Sequence, residues 1–269
     1  MQENNIILTG IPRSGTTLSC YLLSQTPDCV ALNEPMRTAQ YKTYQSALQA
    51  IPGYFKTTRD SILNRGVAVA RASKGKMTDN HFSTEKGVRK KMVRKQEIEI
   101  NKELSPNFNL AIKHNALFSI LLHDLAKDFP VFAFVRNPLA VLGSWNSLDL
   151  PVSNGKVRAT KFLLPDFDRA LSKIPDLYDK QLFILNWYFE QYLHLPSEKV
   201  IKYEDLTASN GSVLSLINPK AKNIVTSLKN KNKNAIYNKD ILLRLSEKLI
   251  KSDIACWQFY DKSDIEAIL

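Results

Sequence analysis

The chain has 269 residues, 44% of them apolar, and a formal net charge of +11. That length and apolar share allow one large α/β domain with a full core. No apolar run approaches the roughly 18 residues of a membrane span, and three cysteines (Cys20, Cys29, Cys256) with no CxxC cannot form a disulfide framework.

The N-terminus, Met1-Gln2-Glu3-Asn4-Asn5, is polar and lacks the basic region of a signal peptide, so a cytoplasmic location is expected. Residues 6–9 read as a short buried strand. Gly10-Ile11-Pro12-Arg13-Ser14-Gly15-Thr16-Thr17 follows, with two glycines four residues apart, and opens a helix over 16–24 that carries Leu18, Tyr21 and Leu22 on one face. This is the outline of a P-loop, but Thr16 stands where a Walker A loop carries lysine, and an arginine sits inside the loop. Such a loop aims backbone N–H groups at an anion, helped by the helix N-terminus. Arg13 adds a planar two-pronged donor and Thr16 and Thr17 add hydroxyls. A plain strand–helix turn is the bland alternative, for which an arginine, two glycines and two threonines are excessive.

Residues 30–32 form a second short strand that ends at Asn33-Glu34-Pro35, and Pro35 biases Glu34 away from helix. Helical patterns cover 38–51 and 59–65. Residues 52–105 hold 13 Lys/Arg against six Asp/Glu and read as a basic insertion or lid within a single domain spanning 1–269. Within it, 66–87 reads as a mobile loop and 88–104 as a strand or hairpin. The α/β rhythm then returns: a strand at 110–112 running into Lys113-His114, a helix over 116–127, an apolar strand at 131–135, and a helix over 138–147 opened by proline. Mostly helical sequence covers 166–195, a last strand lies at 200–203, and helices are expected over 205–217 and 240–259. This alternation predicts an α/β fold with a parallel sheet covered by helices on both faces.

The strand at 131–135 ends in Arg136, not in the aspartate that would hold Mg²⁺ in a nucleotide hydrolase or kinase. An arginine at that edge points to direct binding of a further anion, and Ser144, eight residues on, could share a phosphate with it. A salt bridge at a strand end is the alternative. A second basic segment, 220–239, has six lysines and no acid. The two basic stretches are either solvated loops or flaps around a polyanionic ligand. Nucleic acid is not the expected partner, because there is neither an RNP-like aromatic motif nor zinc-finger spacing.

Taken together, Pro12-Arg13-Ser14-Gly15-Thr16-Thr17-Leu18, then Val135-Arg136-Asn137-Pro138 with Ser144, then Lys202-Tyr203-Glu204-Asp205-Leu206 resemble the sulfotransferases that use 3′-phosphoadenosine 5′-phosphosulfate (PAPS). The opening is similar to that of the tyrosylprotein-sulfotransferase branch. The resemblance spans residues 10–206 and implies a P-loop, nucleotide-kinase-like α/β fold. It implies that residues 10–18 bind the 5′-phosphosulfate, that Arg136 and Ser144 bind the 3′-phosphate, and that Tyr203 lies by the nucleotide. The segment 229–233 resembles a basic flap over that phosphate, with Lys231 and Lys233 as its candidate contacts. The product would be adenosine 3′,5′-bisphosphate, and no metal would be required.

Sulfuryl transfer needs a base for the acceptor's proton, cations at the developing charge, and alignment. Glu34 stands 21 residues after Arg13, the spacing of the catalytic glutamate in the tyrosylprotein branch. His114 is the other candidate base, near where the cytosolic branch has its histidine, but adjacent to Lys113 instead of two residues beyond it. Lys113 resembles the lysine that steadies the sulfuryl group. His81, His123 and His194 show no metal-ligand spacing, and no G-x-S-x-G elbow occurs, so neither a metalloenzyme nor a serine hydrolase is expected. The expected reaction is transfer from PAPS to a hydroxyl, less readily an amine, of a small-molecule acceptor such as a natural product, glycan or lipid precursor. The Lys/Asn/Ile-rich composition suggests a bacterial source. A P-loop kinase and a basic nucleic-acid-binding module remain as alternatives.

Overall fold

The computed structural model describes residues 4–83 and 89–269. In chain order its strands are β1 (Asn5–Gly10), β2 (Cys29–Asn33), β3 (Val67–Ala72), β4 (Arg94–Glu99), β5 (Asn109–Lys113), β6 (Val131–Val135) and β7 (Val200–Lys202). The helices that matter for the site are α1 (Thr16–Gln25), α2 (Tyr44–Arg65), α3 (Asn115–Ile120), α4 (Pro138–Asn146), α5 (Leu177–Tyr192), α6 (Tyr203–Ala208) and α7 (Lys239–Lys251).

Five strands form one parallel sheet in the order β2-β5-β1-β6-β7. Alternate side chains leave a strand on opposite faces, and here both faces are apolar. Ile7, Val30, Leu32, Leu110, Ile112, Val131 and Ala133 enter the larger core under α2, α3, α4, α5 and α7. Ile6, Leu8, Ala31, Ala111, Phe132, Phe134 and Ile201 enter a smaller core under α1, α6 and the 3₁₀ turns at 212–223. The predicted parallel sheet with helices on both faces is therefore the observed one. From β1 the chain moves to β2 on one side, and from β5 it crosses β1 to reach β6 on the other. Ligand crevices form outside the carboxyl ends of strands at such a reversal.

Several expectations differ from the structure: α6 ends at Ala208 and a 3₁₀ turn takes the place of the rest of the helix expected over 205–217, and α7 ends at Lys251 instead of continuing to 259. The helical patterns at 38–51 and 59–65 are largely one helix: α2 starts at a capping box of Thr43 with Ser46 and runs through Pro52. Proline forfeits a helix hydrogen bond, but Ala47, Ile51, Phe55 and Ile62 are buried on either side of it and hold the helix together. Residues 67–72, expected as part of a loop, are β3, paired antiparallel with β4. Its inward positions, Ala68, Ala70 and Ala72, are buried in the larger core. Alanine at every second place gives an alternation too weakly apolar to be read as a strand. The expected loop also reaches residues 84–87, which lie outside the described residues.

Candidate functional site

The carboxyl ends of β1, β2, β5, β6 and the turn after β7 bring the glycine loop, Glu34, Lys113-His114, Arg136 and Tyr203 to one edge of the sheet. The loop is fastened from several sides. Ile11 N–H donates to the Phe134 carbonyl at 3.0 Å, and Ser14 Oγ donates to the same carbonyl at 2.8 Å. Trp145 Nε1 donates to the Pro12 carbonyl at 2.8 Å. Ser14 N–H donates to the Ile11 carbonyl, so Ser14 shapes the loop and has neither its hydroxyl nor its N–H free for a ligand. Arg13 and Gly15 both have left-handed backbone, with φ of 78° and 88°. A Cβ on Gly15 would lie 2.8 Å from Tyr203 Cδ2, so only glycine lets the tyrosine ring pack against the loop. No side chain caps the start of α1, which leaves the N–H groups of Thr16, Thr17 and Leu18 at the loop without a helical acceptor. Thr16 itself is buried, whereas Thr17 and Leu18 are part-exposed.

Arg13 Nε donates to Ser144 Oγ at 3.1 Å, and its guanidinium lies 5.4 Å from the centre of the Phe82 ring. Burial first, then the neighbouring Arg89 and Arg136, push Arg13 down to about 10. Arg136 is 5% exposed. Its Nε donates to Asn232 Oδ1 (2.8 Å), Nη1 to the Arg13 carbonyl (3.1 Å), and Nη2 to the Lys231 carbonyl (2.6 Å) and Tyr237 Oη (3.2 Å). The guanidinium stacks 4.5 Å from the centre of the Tyr203 ring. Ser144 thus meets Arg13 and not Arg136, a pairing that linear spacing could not anticipate. Neither arginine has a carboxylate partner among the described residues. Glu204 touches Arg136 only through Asn232, whose Nδ2 donates to Glu204 Oε1 at 2.6 Å.

The basic segment 229–233 meets the site through its backbone and the Asn232 side chain. Lys231 N–H donates to Tyr203 Oη at 3.1 Å, and the Lys231 carbonyl accepts from Arg136. Lys233 instead lines a cleft of about 410 Å³ with Asn137, Glu204, Tyr260 and Asp264. Two carboxylates there make that cleft a poor phosphate receptor.

On the other side of the loop, Glu34 ends β2 with φ 43°. Its N–H donates to the Lys113 carbonyl at 2.8 Å. Lys113 Nζ donates to Oε1 at 3.1 Å, and Arg71 Nε, from β3, donates to Oε2 at 2.6 Å. Burial alone would raise the Glu34 carboxyl, but Lys113, His114, Arg71 and His81 together hold it well below the usual glutamate range. The side chain is still 24% exposed, so a partner can reach it. Lys113 is fully inside. His114 is buried, accepts the Met36 N–H on Nε2 at 3.2 Å, and stands edge-on to Phe118. Burial foremost lowers it to about 3, so it is neutral with that lone pair engaged.

Sequence reasoning missed Arg71, His81 and Arg89, all from the stretch after α2. Arg71 follows an alternating Val-Ala-Val-Ala run, which was the available signal. His81 shows no metal-ligand spacing in the sequence, yet it is buried, its Nε2 has no partner among the described residues, and it feels Lys113, Glu34, Arg71 and Arg13.

No helix among the described residues is long and apolar enough to cross a membrane. No family model matches the chain, and no curated protein matches it. Among solved structures, it is similar to the sulfotransferase domain from the Synechococcus PCC 7002 olefin synthase, at 14% identity and a TM-score of 0.39, covering 98% of this chain and 86% of that one. It is also similar to the sulfotransferase domain from the curacin biosynthetic pathway, at 12% identity and a TM-score of 0.40, covering 98% of this chain and 89% of that one.

Proposed function

We propose that the chain is a PAPS-dependent sulfotransferase acting on a hydroxyl of a small-molecule acceptor by direct in-line transfer, without a metal. One observation carries the reading: Arg13 and Arg136 crowd one edge of the sheet beside unclaimed N–H groups at the start of α1, with no carboxylate on either guanidinium among the described residues. Buried charge is costly unless paired, and a polyanion is the partner that this arrangement fits. The buried Tyr203 ring packs under Arg136 and against Gly15, which ties the arginine to the glycine loop.

In this reading the loop from Gly10 to Leu18, with Arg13, Thr16 and Thr17, holds the 5′-phosphosulfate. Arg136, with Tyr203 and the segment through Lys231, holds the 3′-phosphate end, while Ser144 steadies Arg13. Arg136 has to exchange the Lys231 carbonyl for phosphate oxygen, so segment 229–233 shifts when the nucleotide enters. Bound there, PAPS supplies the sulfuryl group: the acceptor oxygen bonds to sulfur as the bridging S–O bond breaks, and adenosine 3′,5′-bisphosphate leaves. Lys113 keeps its ammonium between Glu34 and the loop, where it offsets charge on the transferring group. Glu34 takes the acceptor's proton on the carboxylate that Arg71 and Lys113 orient through its two oxygens. His114 is the weaker candidate for that proton, because Met36 N–H occupies its Nε2. The chain acts as one catalytic unit, in which the β3–β4 hairpin walls the acceptor side.

The test gives the protein a mixture of small hydroxy compounds with ³⁵S-labelled PAPS in EDTA, and in parallel γ-³²P-labelled ATP with Mg²⁺. Sulfur label in an organic product, lost in Arg13→Ala, is the expected result. Phosphorus label in the product, with none from sulfur, would replace this reading by a kinase.

A further inference from the structure

The β3–β4 hairpin brings more positive charge to Glu34 than Glu34 can neutralise. Arg71 and Lys95 stand directly opposite each other in the ladder, and like charges so placed weaken a hairpin. Both nevertheless turn toward the end of β2. Arg71 donates to Glu34, and Lys95 Nζ donates to the Met36 carbonyl. Burial first, then Arg71, Arg37 and Lys91, lower Lys95 to about 8, and Lys91 in turn feels Arg71 and Arg158. Lys91, Arg37 and Arg158 are solvent-exposed, so a ligand in solution can reach them. Glu34 already serves Lys113 and Arg71, and no other carboxylate pairs with these five cations among the described residues.

A second feature lies on the same hairpin. His81 is 8% exposed and its Nε2 meets no hydrogen-bond partner among the described residues. It sits within electrostatic reach of Glu34, Lys113, Arg71 and Arg13. Buried ring nitrogens are normally satisfied, so an unpaired one beside the reacting edge calls for a ligand group.

We propose that this wall binds an anionic group of the acceptor, so that the acceptor is a hydroxy compound bearing a carboxylate or phosphate. Lys91, Lys95, Arg37 and Arg158 take the anion by charge-assisted hydrogen bonds, and the hydroxyl lies toward Glu34 and His81. The assignment of the anion to an acceptor rests on the transferase reading above; the existence of the anion site does not. Binding there also serves the base. An anion that draws on Arg71 loosens its hold on Glu34, which moves the carboxylate toward more effective proton acceptance.

The experiment is calorimetry at constant ionic strength on protein saturated with adenosine 3′,5′-bisphosphate, titrated with inorganic phosphate or with benzoate. Wild type is compared with Lys91→Gln and with Lys91→Gln/Lys95→Gln. The expected result is binding of one of the two anions to wild type that falls at least tenfold in the double variant and partly in the single one. The bisphosphate affinity stays the same in all three, which also reports that they fold. Preference for phosphate over benzoate assigns a phosphorylated acceptor, and the reverse assigns a carboxylic acid. Equal anion affinity in wild type and both variants, or none in wild type, would overturn the proposal. Failure of the bisphosphate to bind would instead sink the transferase reading, while the difference between wild type and variants would still report on the hairpin.

Discussion

Glu34 is held by two cations, Lys113 and Arg71, on separate carboxylate oxygens. That grip gives the residue both its orientation and its charge. Glu34→Gln should lower turnover by roughly 10²–10⁴ while leaving bisphosphate affinity unchanged; full activity in the variant would move the base to His114 or His81. The same ion pairs predict a pH-dependent stability. The folded carboxyl lies below its ordinary 4.5, so its stabilising contribution is complete above that pH and is lost as pH falls below it. Denaturant melts of wild type and Glu34→Gln should therefore differ at neutral pH and converge under acid conditions. At the other end of the site, Arg136→Ala should weaken bisphosphate binding by about 1.5–3 kcal/mol; unchanged affinity would remove Arg136 from the phosphate. Arg13, Arg136, Lys113 and Glu34 were legible in the sequence because each ends a strand or follows a glycine next to an obvious apolar run. The Arg13–Ser144 and Arg71–Glu34 partnerships were not, since each joins residues far apart in the chain.

At the scale of elements, the parallel strands announced themselves as short apolar runs, and the structure has them within a residue or two. β3 did not. Its inward residues are alanines, too weakly apolar to stand out, whereas β4 lies within the stretch 88–104 that reads as a strand or hairpin. The lysine-rich segment 229–233 misled in another way. Its lysines drew notice, but its backbone and Asn232 make the contacts with Arg136 and Tyr203. Tyr203→Phe keeps the ring under Arg136 and deletes the oxygen that accepts Lys231 N–H. Its predicted effect is about 0.5–1.5 kcal/mol, seen as faster bisphosphate dissociation in stopped-flow displacement. A dissociation rate identical to wild type would mean that the segment does not act as a clasp.

Across the whole molecule, the sheet stacks two apolar layers and leaves its functional groups on one edge, where the order of strands reverses. Arg13, Arg71, Lys113 and Arg136, each from a different chain segment, meet there, which raises the energy of the unliganded state and makes that edge the part most stabilised by a polyanion. A bisphosphate present at 100 times its Kd should add about 2.7 kcal/mol to stability, a rise of roughly 5–10 °C in Tm for a chain of this size. The most direct measurement of the central claim is calorimetric titration with adenosine 3′,5′-bisphosphate in EDTA, set beside ATP with Mg²⁺. The predicted result is one equivalent of bisphosphate bound without metal and lost in Arg13→Ala. Binding of ATP–Mg²⁺ with no binding of the bisphosphate would contradict it.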